Sequence, residues 1–261
     1  MKKIILVGLF VSLVLCRLQA QTLSPQVMAT GGGFQTASNA SLSFTIGESV
    51  THTLSASNTM LTQGFQQPLE INLLNAKAFL QGYYSGSGQM ADVLYNQGVY
   101  PNASLETDSL DFELHDVNAP YTLLFHRRVI LKQDGSMSIK GMGQPGQSYY
   151  FVLKHRNHIE SWSDNPVLLT TNTTYDFSTT ATQVYGANQI EVEAGIWAFY
   201  SGDVNQDGVV DGLDYNDWET DNNNFAAGYL STDLNGDGIV DGLDFLLWET
   251  NNNNFVGAVM P

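Results

Sequence analysis

The run Asp203-Val204-Asn205-Gln206-Asp207-Gly208-Val209-Val210-Asp211-Gly212-Leu213-Asp214 returns as Asp233-Leu234-Asn235-Gly236-Asp237-Gly238-Ile239-Val240-Asp241-Gly242-Leu243-Asp244. Across residues 203–225 and 233–255, 16 of 23 positions are identical, and each unit closes on Trp-Glu-Thr, an Asn run and Phe225 or Phe255. Self-similarity at a fixed period marks duplicated structural units. The spacing of the acids suits a hard divalent cation. Calcium takes about six to eight oxygens, and a twelve-residue loop presents them from positions 1, 3, 5, 7, 9 and 12. In the first loop those positions are Asp203, Asn205, Asp207, Val209, Asp211 and Asp214; in the second they are Asp233, Asn235, Asp237, Ile239, Asp241 and Asp244. Val209 and Ile239 would offer a backbone carbonyl, which is why an apolar residue is acceptable there. Gly208 and Gly238 occupy position 6, where the loop must turn sharply. Two Ca2+ would set four positive charges against eight loop aspartates, in a region where no Lys or Arg follows Arg156.

A regular EF-hand has Glu at position 12 and a helix on either side of its loop. Here position 12 is Asp in both loops. Gly195–Gly202 reads as strand and turn, and Ala226–Thr232 is too short and too Gly-broken for an entering helix. Loop followed by helix, twice over, with Asp at position 12, resembles the duplicated repeat of the dockerin family. The resemblance covers about 60 of 261 residues. It implies a small α-helical module that folds on calcium and docks onto a cohesin-like or other extracellular protein, commonly fixing polysaccharide-degrading enzymes to scaffolds. Many dockerins carry small polar residues at loop positions 10 and 11; here those positions are Gly212-Leu213 and Gly242-Leu243. Val210, Leu213, Trp218 and Phe225, with Val240, Leu243, Trp248 and Phe255, are expected to form the module's shared core. Tyr215-Asn216-Asp217 in the first unit becomes Phe245-Leu246-Leu247 in the second. Those three exceed what the core needs, so they are expected to form an exposed apolar patch for a partner or for the chain's own β domain.

Working outward, residues 70–201 read as a β domain. Lys77–Tyr84, Ser109–His115, Tyr121–Phe125, Val129–Lys132, Ser148–Lys154, Val167–Thr171 and Ile190–Tyr200 are candidate strands, with turn signals at Asp134-Gly135 and Pro145-Gly146. About seven short strands without helical periodicity suggest a β-sandwich. Residues 21–69 form a further, polar β segment, with strands expected near 41–46 and 51–54 and the Gly31-Gly32-Gly33 triplet as punctuation. Residues 1–20 have the basic start, apolar run and small-residue exit of a signal peptide, which implies secretion. The one cysteine, Cys16, lies inside it, so no disulfide staples the mature chain. No segment approaches the roughly 20 apolar residues of a membrane span. The formal charge is −16, which opposes a nucleic-acid partner because phosphate binding needs clustered cations. Ser43–Glu48, Leu61–Pro68 and Lys154–Ser163 resemble stretches in secreted multidomain proteins of Bacteroidetes-type bacteria.

Other chemistry finds less support. His155, His158 and Glu160 could hold a transition metal or serve as a general acid–base pair, but on a strand residues 155 and 158 point to opposite faces, and only a tight turn would bring them together. Asp111 and Glu113 share one strand face, as a glycosidase pair would, without further signature. Tyr83, Tyr84, Tyr149, Tyr150, Phe151, Trp197, Phe199 and Tyr200 suit a sandwich core better than a glycan-stacking platform. The sequence thus implies a mostly β fold, a β-sandwich plus a small α-helical dockerin-like module of two loop–helix units. It implies a secreted, non-enzymatic calcium-binding protein of extracellular assembly. The alternative is a polysaccharide-degrading enzyme or a carbohydrate-binding accessory protein.

Overall fold

Strand alternation builds the main sheets. The structure, a computed structural model, describes residues 31–37, 40–46, 53–56, 59–62, 72–99 and 105–261; the expected signal peptide and Cys16 lie outside them. The chain divides into two units, Met1–Leu69 and Glu70–Pro261. In the first, β1 (Gly31–Ala37) pairs antiparallel with β2 (Ala40–Ile46), and β3 (Thr53–Ala56) with β4 (Thr59–Thr62). The glycine triplet is therefore strand, opposite Ile46, Thr45 and Phe44, rather than punctuation.

The second unit runs β5 (Leu73–Lys77), β6 (Tyr84–Gly86), β7 (Gln89–Met90), a single helical turn α1 (Val93–Asn96), β8 (Glu106–His115), β9 (Leu123–Lys132) and β10 (Ser136–Lys140). It continues with β11 (Ser148–His155), β12 (His158–Trp162), β13 (Val167–Leu168), β14 (Asn172–Asp176), β15 (Ile190–Glu193) and β16 (Ile196–Ala198), then α2 (Gly212–Asn223) and α3 (Gly242–Asn253). One larger sheet has the order β10-β5-β14 and a second β12-β11-β8-β9 with β13 also on β11, while β6-β7 and β15-β16 are two-stranded pairs. β5 pairs antiparallel with β10 and parallel with β14.

Because side chains alternate across a strand, β8 sends Leu110, Phe112 and Leu114 inward, and Asp111 and Glu113 outward. Leu74 and Ala76 of β5, Met137 and Ile139 of β10, and Phe151 and Leu153 of β11 join those three in one buried cluster. Two sheets closing on a common core make the β-sandwich. Each such Leu or Phe contributes roughly 1.5–3 kcal/mol relative to exposure. On the outer face of β11, Tyr150 and Val152 bury with Trp162 beneath Tyr121 and Tyr185.

Several strands differ from expectation. Residues 123–132 are one strand, not two, because β9 is an edge strand and tolerates the exposed His126-Arg127-Arg128 in its middle. The strand expected at Lys77–Tyr84 ends where that stretch begins, and Gln81–Tyr83 is a 3-10 turn. β10, β12 and β14 were not anticipated; they are rich in Ser, Thr, Asn and His, and tertiary packing decides their state.

The C-terminal segment is helical after each loop. Asp211 is the N-cap of α2 and accepts from Leu213 N–H, while the side chain of Asp214 reaches back to Asp211 N–H; Asp241 and Asp244 repeat this at α3. The reciprocal capping box satisfies amide donors that a helix start leaves orphaned. Each helix is 12 residues long and extends into its Asn run. Trp218 Nε1 donates to Asp241 O at 3.1 Å, and Trp248 Nε1 to Asp211 O at 2.9 Å. The two units therefore clasp each other through equivalent tryptophans.

Half of the expected shared core is correct. Val210, Val240, Trp218 and Trp248 are buried, whereas Leu213, Leu243, Phe225 and Phe255 are exposed. Phe225 and Phe255 lie just past the helix ends at φ 52° and 54°, pointing to solvent.

Candidate metal centre

The first loop is a series of side-chain-to-backbone turns. Asn205 Oδ1 accepts from Asp207 N–H at 2.8 Å, Asp207 Oδ1 from Val209 N–H at 3.1 Å, and Asp203 Oδ2 from Gly208 N–H at 3.2 Å. Asp214 closes the ring: its Oδ1 accepts from Val204 and Asn205 N–H at 2.7 and 3.1 Å, and its Oδ2 from Asp211 N–H at 2.9 Å. Short polar side chains bonding the backbone two residues on are what Asp and Asn do in turns, so the spacing that suggested a metal loop also dictates the local fold. The second loop repeats the pattern through Asn235, Asp237 and Asp244.

The four carboxylates at positions 1 and 12, Asp203, Asp214, Asp233 and Asp244, are buried; the oxygen-bearing residues at positions 5, Asp207 and Asp237, are exposed. Burial, then the neighbouring Asp214 and Asp207 carboxylates, push Asp203 up to about 7. Burial likewise raises Asp244 to about 6, with Asp233 adding to it. Asp214 and Asp233 are raised by the same first cause. Desolvated like charges disfavour ionisation until a cation supplies the opposite charge.

Among the described residues, no three or more His, Cys, Asp or Glu side chains are grouped so as to hold a metal ion by themselves. The donor set in question is mixed, with an Asn amide and a backbone carbonyl in each loop, as hard-cation sites use. One atom favours the fit directly. Asp203 Oδ1 is buried and has no hydrogen-bond partner; the Gln206 backbone N–H lies near enough to lower the carboxyl without hydrogen-bond geometry. A buried carboxylate oxygen left bare is costly unless something positive meets it.

The surroundings of the two loops differ. Gln97, at the end of α1, donates from Nε2 to Asp233 Oδ2 at 2.6 Å and to Gly236 O at 3.2 Å. Asn157, in the β11–β12 turn, donates to Asp233 O at 2.9 Å. Gly236 sits under Tyr83 and Val93; a Cβ there would stand 2.6 Å from Val93 Cγ2, and φ is +76°. Gly82 is equally constrained, since a Cβ on it would lie 1.9 Å from Leu234 O. At the matching position the first loop carries Gln206, exposed, which donates to Asp203 O at 2.5 Å.

Helix α3 also docks on the β-sandwich. Asn251, fully buried, donates to Gln81 Oε1 and Ser201 O, each at 2.7 Å. Phe245 and Leu247 are half-buried against the cluster of Ile159, Val204, Val210, Leu234, Trp248 and Val256. Only Leu246 of the three residues assigned to an exposed patch is exposed; the chain itself covers much of the other two.

Between β-sandwich and second loop runs a buried polar network. A tight turn at Arg156-Asn157 brings His155 and His158 together, as a continuous strand would not, with Nδ1 atoms 3.0 Å apart and Asn157 Oδ1 contacting both. His158 Nε2 contacts Ser201 Oγ at 3.1 Å. His155 and Arg156 pair with the buried Asp108 at 3.1 and 3.2 Å, Tyr229 donates to Asp108, and Arg156 donates to Leu230 O. Burial alone would raise the Asp108 carboxyl, but His155, Arg156 and Tyr229 together hold it well below the usual carboxylate range. Burial, then His155, keep His158 well below the usual imidazole value. Glu160 is not part of this group; it pairs with Lys154 and Trp162 Nε1.

The other carboxylate pair is committed elsewhere. Asp111 pairs with Arg128 and His126, and Glu113 with His115 and Lys154. An open groove of about 420 Å³ lies on the β-sandwich, lined by Asp116, Phe125, Gln144, Gln147 and Tyr149 among others.

No protein-family model matches the chain, and no curated protein matches it. Among solved structures, an N-terminal interface mutant of a type II cohesin–X–dockerin complex from Acetivibrio cellulolyticus is 12% identical, covering 71% of this chain and 97% of that chain at a TM-score of 0.42. A C-terminal interface mutant of the same complex is 12% identical, covering 72% and 97% at a TM-score of 0.41. Likeness at that level carries no weight for this chain; its fold stands on its own sheets, loops and helices.

Proposed function

We propose that this is a secreted, calcium-binding assembly protein, in which a dockerin-like pair of loop–helix units attaches the β-sandwich to another extracellular protein. The observation that carries this reading is the duplicated loop, folded through its own Asx turns, with buried carboxylates at positions 1 and 12 and a bare oxygen on Asp203. Asp203, Asn205, Asp207, Asp211, Asp214 and the Val209 carbonyl would hold one ion, and Asp233, Asn235, Asp237, Asp241, Asp244 and the Ile239 carbonyl the other. Calcium would supply the charge that lets the buried carboxylates ionise together.

The apolar side chains a partner would cover are Leu213, Leu243 and Leu246, each more than half exposed. No helix among the described residues is long and apolar enough to cross a membrane. The test is capture by the immobilised full chain from an extracellular fraction, in calcium and in EGTA, followed by binding of the purified captured protein. Calcium-dependent binding that Leu213→Asp with Leu243→Asp abolishes is expected. Release of sugar from a polysaccharide by the purified chain would instead favour the enzyme alternative.

A further inference from the structure

Resting on the calcium reading, we propose that Gln97 is a positioning residue for the second metal loop, so that the β-sandwich itself sets that loop's calcium affinity. Gln97 belongs to the turn after α1, 136 residues from Asp233 in sequence, and nothing in the loop motif points to it. Its Nε2 spans two loop atoms, Asp233 Oδ2 and Gly236 O. Its Cγ is the nearest heavy atom to where a Gly238 Cβ would stand, at 3.4 Å.

The consequence follows from counting acceptor positions. A carboxylate has about four lone-pair sites. Asp233 uses three, with Gly236 N–H on Oδ1 at 2.8 Å, and Gly238 N–H at 3.0 Å plus Gln97 on Oδ2. One remains, on Oδ1, and the carboxylate that carries it is fixed before any ion arrives. Asp203 receives a single such bond, from Gly208 N–H, and no β-sandwich side chain reaches it. Hydrogen bonds to a ligating carboxylate orient it, and removing one typically weakens metal binding by about 10- to 100-fold. The second loop therefore fills first, and the first loop later.

Calorimetric titration of the full chain with CaCl2 tests this. One background silences the first loop (Asp203→Ala with Asp207→Ala), and the other the second (Asp233→Ala with Asp237→Ala). Gln97→Leu should weaken calcium at the second loop about 10- to 100-fold and leave the first within about twofold. Gln97→Glu removes the N–H donor while keeping the side chain's length, and should not restore binding to the Gln97 level. Equal weakening of both loops, or none at the second, overturns the proposal. If the unmodified chain takes up no calcium, the underlying calcium reading fails instead, and that outcome is distinct. Circular dichroism of the calcium-free variants separates loss of positioning from loss of fold: an unfolded Gln97→Leu with a folded, tightly binding Gln97→Glu also counts against it.

Discussion

The first and second acidic loops have nearly the same sequence and unequal surroundings. In the first, Asn205 and Gln206 are exposed, with Gln206 Nε2 turned back onto Asp203 O and, at 3.4 Å, His158 O; in the second, Asn235 is half-buried and Gly236 is buried beneath Tyr83 and Val93. The seven positions where the repeats disagree are informative. Three of them, Gln206/Gly236, Asp217/Leu247 and Asp221/Asn251, place the second unit's residue against the β-sandwich or the cluster shared with it. A duplicated unit is free to diverge where only one copy touches a neighbour, so the mismatches between copies trace the docked face.

Exchanging residues between the copies should break that asymmetry. The largest effect is expected from Asn251→Asp, which sets a buried carboxylate against Gln81 Oε1 and Ser201 O and should cost about 4 kcal/mol in urea unfolding. The mirror change Asp221→Asn should cost less than about 0.5 kcal/mol. Gly236→Gln forces a side chain at positive φ into Val93 and Tyr83, and should cost about 3 kcal/mol. Gln206→Gly should shift stability by less than about 1 kcal/mol. Leu247→Asp should destabilise by about 2 kcal/mol, while the exposed Leu246→Asp stays within about 0.5 kcal/mol. Equal responses within any of these pairs would contradict the docking argument.

A separate effect concerns acid. The Asp108 carboxyl lies below its unfolded value of about 3.9, so its contribution is present above that pH and is lost as pH falls below it. Asp108→Asn should therefore lower stability at neutral pH and flatten the acid-unfolding limb below about pH 4.

Much of the candidate site's local fold was legible in sequence because the fold and the proposed chemistry use the same atoms. Asp and Asn spaced by two make Asx turns whether or not a metal is present, and Asp at N-cap and N3 starts the helix in both units. The β-sandwich was legible where inward residues are large and apolar, as in Leu110-x-Phe112-x-Leu114. It was not legible in His158–Trp162 or Asn172–Asp176, whose polar residues take strand conformation from their neighbours. The apolar part of the docked face was legible in Phe245 and Leu247, but its polar contacts were not: Gln97, Asn157 and Asn251 are ordinary amides until the fold brings them to atoms far away in sequence. Phe225 and Phe255 misled in the opposite sense, since a conserved aromatic between the copies reads as core yet both point to solvent.

Equilibrium dialysis of the full chain against calcium tests the central claim most directly. Two ions bound per chain, falling to one in Asp203→Ala with Asp207→Ala and to none when Asp233→Ala with Asp237→Ala is added, is the expected result. No calcium bound at millimolar free metal would contradict it.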